Sequence, residues 1–147
     1  MISTNIWDLI ASQFIATMGG VAVVFIVDLI SNAIFKTKEK LFLIIEEISI
    51  VLNNEAKYYS NPINTCGLSK NMYDEYKHSS NEVRRVASKL LSFSQLYNRI
   101  YFSKITINDV KDAGSLLIGV SNGYFDDRNV FLNDEKAKKA KELLGIE

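Results

Sequence analysis

His78 is the only histidine in the chain, and Ser79 and Ser80 follow it directly. An imidazole beside a hydroxyl is the raw material of a base and nucleophile pair. No G-x-S-x-G elbow accompanies it, so a surface or helix-end histidine is the simpler account. Zinc would have to be held largely by carboxylates, since no H-E-x-x-H pattern exists and Cys66 is the single cysteine. Cys66 stands in a glycine-containing segment with no base motif beside it, which suits an incidental thiol rather than a nucleophile. Neither G-x-x-x-x-G-K-[ST] nor G-x-G-x-x-G occurs, so nothing in the sequence cradles a phosphate. The expectation is no catalytic residue, no cofactor and no metal. Arg84–Arg85 could contact phosphate or RNA, but adjacent helical arginines more often form a solvated face or pair with carboxylates. The seven tyrosines are spaced as core and rim residues rather than as a base-stacking platform.

The elements that would carry these residues fall into two parts. Residues 1–35 hold Asp8 and Asp28 and no Lys or Arg, while all 17 basic residues lie beyond position 35. The remainder is therefore about +2, too weak a charge to argue for nucleic acid. One proline and seven glycines argue against a disordered chain. The lone cysteine excludes an internal disulfide framework.

Leu9 to Val27 is an uncharged run of 19 residues. A helix needs about 20 residues to cross a ~30 Å hydrocarbon core, so a transmembrane helix is expected over about 6–30, with the domain boundary at 35/36. No basic residue precedes Lys36, which excludes a cleaved signal peptide. Lys36, Lys38 and Lys40 follow the run, and the positive-inside rule places the C-terminal part in the cytosol. At 100° per residue, Ser12, Gln13, Ala16, Thr17 and Gly20 lie opposite Phe14, Met18 and Phe25, and Asp28 continues their stripe. Ser12, Ala16 and Gly20 form a small-xxx-small ladder that allows close helix approach. Gln13 and Asp28 need polar partners or water. A plain anchor and a self-associating helix both fit; the second gives Gln13 its partner, and it leaves a closed dimer and a pore ring open.

Beyond the span the pattern is helical. Residues 38–58 carry Leu41, Ile44, Ile45, Ile48, Val51 and Leu52 at helical spacing, with no break from the span. Ser60 to Ser69 reads as a loop around Pro62 and Gly67. A second helix is expected from Met72 to Phe102, interrupted near Ser79–Ser80, with Val83, Val86, Ala87, Leu90, Leu91, Tyr97 and Tyr101 inward. A third starts after Thr106, whose spacing to Asp109 suits a capping box, and runs to about Tyr124. A loop over Asp126 to Asn133 precedes a last helix capped by Asn133 or Asp134 and ended by Gly145. The expected fold class is all-α: a membrane helix followed by a bundle of about four helices.

The segment Leu116-Leu117-Ile118-Gly119-Val120-Ser121-Asn122-Gly123, with the later Glu142-Leu143-Leu144-Gly145-Ile146, resembles a family of short bacterial proteins of unassigned function. They share one N-terminal span, a basic junction and a helical cytosolic domain, and the likeness implies no catalytic residue. The plan is also similar to small membrane accessory proteins of RNA-targeting type VI CRISPR systems. Those pair a membrane helix with a HEPN-like bundle and assemble into pores. Their nuclease signature is an Arg followed several residues later by His. Here His78 precedes Arg84 and Arg85, and no later His exists.

These readings point to a non-enzymatic effector of the bacterial inner membrane that self-associates and perturbs or permeabilises the bilayer, in antiphage defence. The alternatives are a membrane-anchored module recruiting a cytosolic protein or RNA-guided partner, and an unusual HEPN-like nuclease. Lipid and a second copy of the chain are the expected partners.

Overall fold

The computed structural model describes residues 6–100 and 103–146. Five α-helices and two short 3-10 turns occur among the described residues, and no strand does. The chain divides into two units between Thr37 and Lys38.

The first unit is the N-terminal stretch of α1 (Ile6–Asn54). From Ser12 to Ile30 every residue is exposed, aromatic and aliphatic side chains included. It is long and apolar enough to cross a membrane, and no part of its most apolar window is buried. A helix surface dominated by exposed apolar side chains suits a hydrocarbon environment rather than water.

The second unit is a helical bundle. Its first element is the C-terminal stretch of α1, where Leu41, Ile44, Ile45, Ile48, Val51 and Leu52 are buried and repeat at i+3 and i+4, as an inward stripe requires. A one-turn α2 (Ala56–Tyr59) leads into the loop. α3 (Lys70–Leu96) begins at Ser69, whose hydroxyl accepts from the Met72 N–H at 3.3 Å. It buries Val83, Val86, Ala87, Leu90 and Phe93. α4 (Ile107–Asn122) starts with the expected box: the Thr106 hydroxyl accepts from the Asp109 N–H, and the Asp109 carboxylate accepts from the Thr106 N–H at 2.7 Å. α5 (Val130–Leu144) buries Ala137, Ala140 and Leu144. Gly145, at φ 66°, closes α5. Its N–H bonds to the Glu142 carbonyl and that of Ile146 to Lys141, the paired bonds of a Schellman ending.

α4 packs against α3 on one side and α5 on the other. The α3 contact needs Gly114, because a Cβ there would stand 2.7 Å from Leu91 Cγ and Cδ2.

Three sequence expectations are corrected. α3 is unbroken at Ser79–Ser80, both of which are buried. It ends at Leu96 rather than Phe102, since Tyr97 is extended (φ −121°, ψ 121°); Tyr101 lies outside the described residues. Asn133 does not cap α5 but lies within it, fully buried.

Candidate functional site

In the first unit, Ser12, Gln13, Ala16, Thr17, Gly20 and Asp28 are all exposed. Gly20 forms a shallow notch bordered by Thr17, Val21, Val24, Phe25 and Asp28. A Cβ at Gly20 would meet nothing within 4 Å, so the chain's own packing does not require glycine there. The Thr17 hydroxyl donates to the Gln13 carbonyl at 2.8 Å. That bond spends its donor on the helix backbone and leaves the Gln13 amide as the stronger candidate for an interhelical bond. Lys36 and Lys40 are exposed and Lys38 is half-buried. Lys40 Nζ stands 5.8 Å from the centre of the Tyr97 ring, near the outer limit of a cation–π contact.

In the bundle, the two arginines have separate roles. Arg85 binds Glu47 at 2.5 Å and Glu82 at 2.8 Å, and Lys89 adds bonds of 2.8 and 2.9 Å to the same Glu47 carboxylate. Hydrogen bonds from Lys89 and then Arg85 hold the Glu47 carboxyl below its usual range, and Arg85 does the same for Glu82. These side chains are about one-third to one-half exposed (31–49 %), so each pair is worth about 0–1 kcal/mol. Arg84 instead reaches α4, where its Nε donates to Ser121 Oγ at 3.2 Å and its Nη2 donates to Asn122 Oδ1.

That contact continues a polar seam between α3 and α4. Ser80 Oγ donates to the Ser121 carbonyl, and Ser121 Oγ donates to the Ser80 carbonyl, both at 3.0 Å. Ser79 Oγ donates to Tyr124 Oη at 3.0 Å, and burial pushes the Tyr124 phenol well above its ordinary value. Asn133 lies beyond the seam. Its Nδ2 donates to the Tyr59 carbonyl at 3.3 Å, while its Oδ1 is buried without a hydrogen-bond partner. That oxygen packs on Gly123, where a Cβ would overlap it.

The seam answers the question posed by His78. Both neighbouring serine hydroxyls are committed to α4 and the turn after it, while His78 is exposed beside Glu55, Tyr58, Asn71, Asp74 and Glu75. No base and nucleophile pair is assembled from them. Cys66 is an exposed thiol. Among the described residues no group of three or more His, Cys, Asp or Glu could hold a metal.

Ser121, Asn122 and Gly123 therefore act in packing: two polar residues clasp α3, and a glycine admits Asn133. Their partners Ser80 and Asn133, and Ser79, which bonds to Tyr124, escape sequence reasoning, because serines and asparagines in a helical run signal breaks and caps until a tertiary partner is known. Comparison with family models, with curated proteins and with solved structures finds no match to this chain.

Proposed function

We propose that this chain is a self-associating membrane effector, anchored by α1 and acting without chemistry of its own. The observation that carries the reading is a wholly exposed apolar helix stretch whose one polar and small face, Gln13, Thr17, Gly20 and Asp28, has nothing packed on it. In hydrocarbon, the Gln13 amide gains most from a polar partner on another helix. The bundle repeats the theme by itself: Phe42, Leu43 and Ile50 of α1 are 54–63 % exposed on the side away from the core. Large apolar side chains grouped on one face mark interaction surfaces.

Lys36, Lys38 and Lys40 set the bundle in the cytosol of a bacterial cell, with the N-terminus outside. Asp28 lies toward the cytosolic end of the span, where a carboxylate would sit at the mouth of a pore if copies form a ring. Membrane permeabilisation in antiphage defence is the role this assembly would serve.

The test is sizing of the full chain in nanodiscs, paired with single-channel recording in a planar bilayer. Oligomers with conductance sensitive to Asp28→Lys support the whole reading. Oligomers without conductance keep association and remove the pore. A strict monomer favours an anchored module that recruits a cytosolic partner.

A further inference from the structure

Within the bundle, one side of α1 is apolar and acidic, and the bundle itself does not cover it. Phe42, Leu43 and Ile50 are more than half exposed there. Glu39 and Glu46 lie on the same side by helical spacing and are exposed. No Lys or Arg occurs between Lys40 and Lys57. On the flank, Arg85 and Lys89 are both bonded to Glu47. Among the described residues no ion pair reaches Glu39 or Glu46.

A second surface of the same bundle has the opposite character. α4 and α5 enclose a groove of about 440 Å³, walled by the half-buried Leu116 and Leu143. The Lys136 side chain crosses Gly119, where an added Cβ would stand 3.3 Å from Lys136 Cδ. Lys136 has no ion-pair partner among the described residues. Lys139 meets Glu142 at 3.4 Å, with the two side chains 60 and 52 % exposed, a loose pair that water already screens. Among the described lining residues, these two ammonium groups stand against one carboxylate, Asp112. The two surfaces also match in length. At ~1.5 Å per residue, Phe42 to Ile50 rises about 12 Å along α1 and Asp112 to Gly119 about 10.5 Å along α4.

Copies that met α1 face to α1 face would set Glu39 and Glu46 against their own duplicates with no cation between them, a like-charge contact that costs free energy. Groove against groove would leave Phe42, Leu43 and Ile50 in water. Face against groove covers both apolar surfaces and brings the unpaired carboxylates to Lys136 and Lys139. We infer that the acidic apolar face of α1 on one copy seats in the α4–α5 groove of the next. The contact rests on the proposed self-association and names the surfaces that the bundles use for it. Because face and groove are different surfaces, the contact is heterologous, and it repeats from copy to copy into a ring or an open array rather than a closed twofold dimer.

The experiment uses two co-expressed full chains, both with Cys66→Ser, one carrying Ile50→Cys and the other Ser115→Cys. A short bis-maleimide is applied to native membranes. The expected result is a cross-linked pair with one chain of each kind, and several-fold less product from either chain alone. Glu39→Lys/Glu46→Lys in the Ile50→Cys chain should lower the yield about ten-fold, because like charges then meet across the contact. Lys136→Glu/Lys139→Glu in the Ser115→Cys chain should do the same, and the two reversals together should restore the yield to within about two-fold. Helical content by circular dichroism should be unchanged throughout. Product from Ile50→Cys alone that matches the mixture overturns the heterologous contact in favour of a face-to-face one. Oligomers of unchanged size in nanodiscs, with no mixed product or with yields indifferent to the reversals, overturn the contact and leave self-association through the N-terminal stretch. Reversals that lower the yield singly and are not restored together overturn the pairing. A strict monomer overturns self-association and this contact with it.

Discussion

Between Ser12 and Ile30 every residue of α1 is exposed, whereas between Leu41 and Leu52 six are buried in the core that the bundle helices build. Both stretches are helical and rich in Ile, Leu, Val and Phe. They differ in how apolar residues alternate with charge. In and just before the later stretch, Glu39, Lys40, Glu46 and Glu47 leave one side for the core, so water and protein can share the helix. The earlier stretch carries Asp28 as its single charged residue, and large apolar side chains stay exposed along its whole length. Hydrophobicity thus sets how much surface a helix must hide, and the placement of charge decides whether protein or lipid can hide it.

The contrast can be broken by truncating each region. Leu117 is fully buried in α4, and Leu117→Ala should cost the bundle about 2–5 kcal/mol. The change should be visible in urea unfolding of detergent-solubilised protein. The same truncation logic at Phe25, 63 % exposed in the first unit, should leave that bundle transition where it was. A loss of bundle stability in Phe25→Ala would show that the two regions are not energetically separate.

A smaller effect sharpens the picture of the seam. Gly123→Ala places a methyl group against the buried Asn133 amide, and overpacking of this kind costs about 1–3 kcal/mol. The double variant Gly123→Ala/Asn133→Ala should recover part of that loss in the same unfolding experiment. Failure to recover would mean that the two residues do not constrain one another.

The smallest effect is electrostatic. Lys89 and Arg85 depress the Glu47 carboxyl, and Arg85 depresses Glu82. A carboxylate held below its unfolded value near 4.5 contributes stability that is fully present above that pH and is lost as pH falls through the folded value. Thermal unfolding between neutral pH and pH about 3 should therefore show an acid-side loss that is reduced in Glu47→Gln. Its size is about 1 kcal/mol or less, because the groups are partly exposed.

The inward face of α1, the box at Thr106 and Asp109 and the glycine ending at Gly145 were all legible in the sequence, because each depends on residues within a few positions of one another. What was hidden depends on distant partners. Ser80 looks like a helix breaker until Ser121, 41 residues away, meets its hydroxyl. Asn133 looks like a cap until the Tyr59 carbonyl and Gly123 surround it. The end of α3 was misplaced because Tyr97, Ile100 and Tyr101 continue an apolar helical rhythm, while the backbone has already turned extended at Tyr97. In the N-terminal stretch of α1, spacing brought Gln13, Thr17, Gly20 and Asp28 to one face, but it could not show that the Thr17 hydroxyl is bound to its own helix.

The central claim is that the polar and small face of the span packs against other copies. Chemical cross-linking in native membranes, comparing Gly20→Leu with Met18→Leu, addresses it directly. A Cβ added at Gly20 meets nothing within 4 Å in its own chain, so a change in assembly, with helical content unchanged by circular dichroism, reports on a neighbouring helix rather than on misfolding. Gly20→Leu should dissociate the oligomer, and Gln13→Leu should weaken it by about 0.6 kcal/mol, the average for interhelical hydrogen bonds in membranes. Met18→Leu should leave it intact. An unchanged cross-linking ladder in Gly20→Leu would contradict the account.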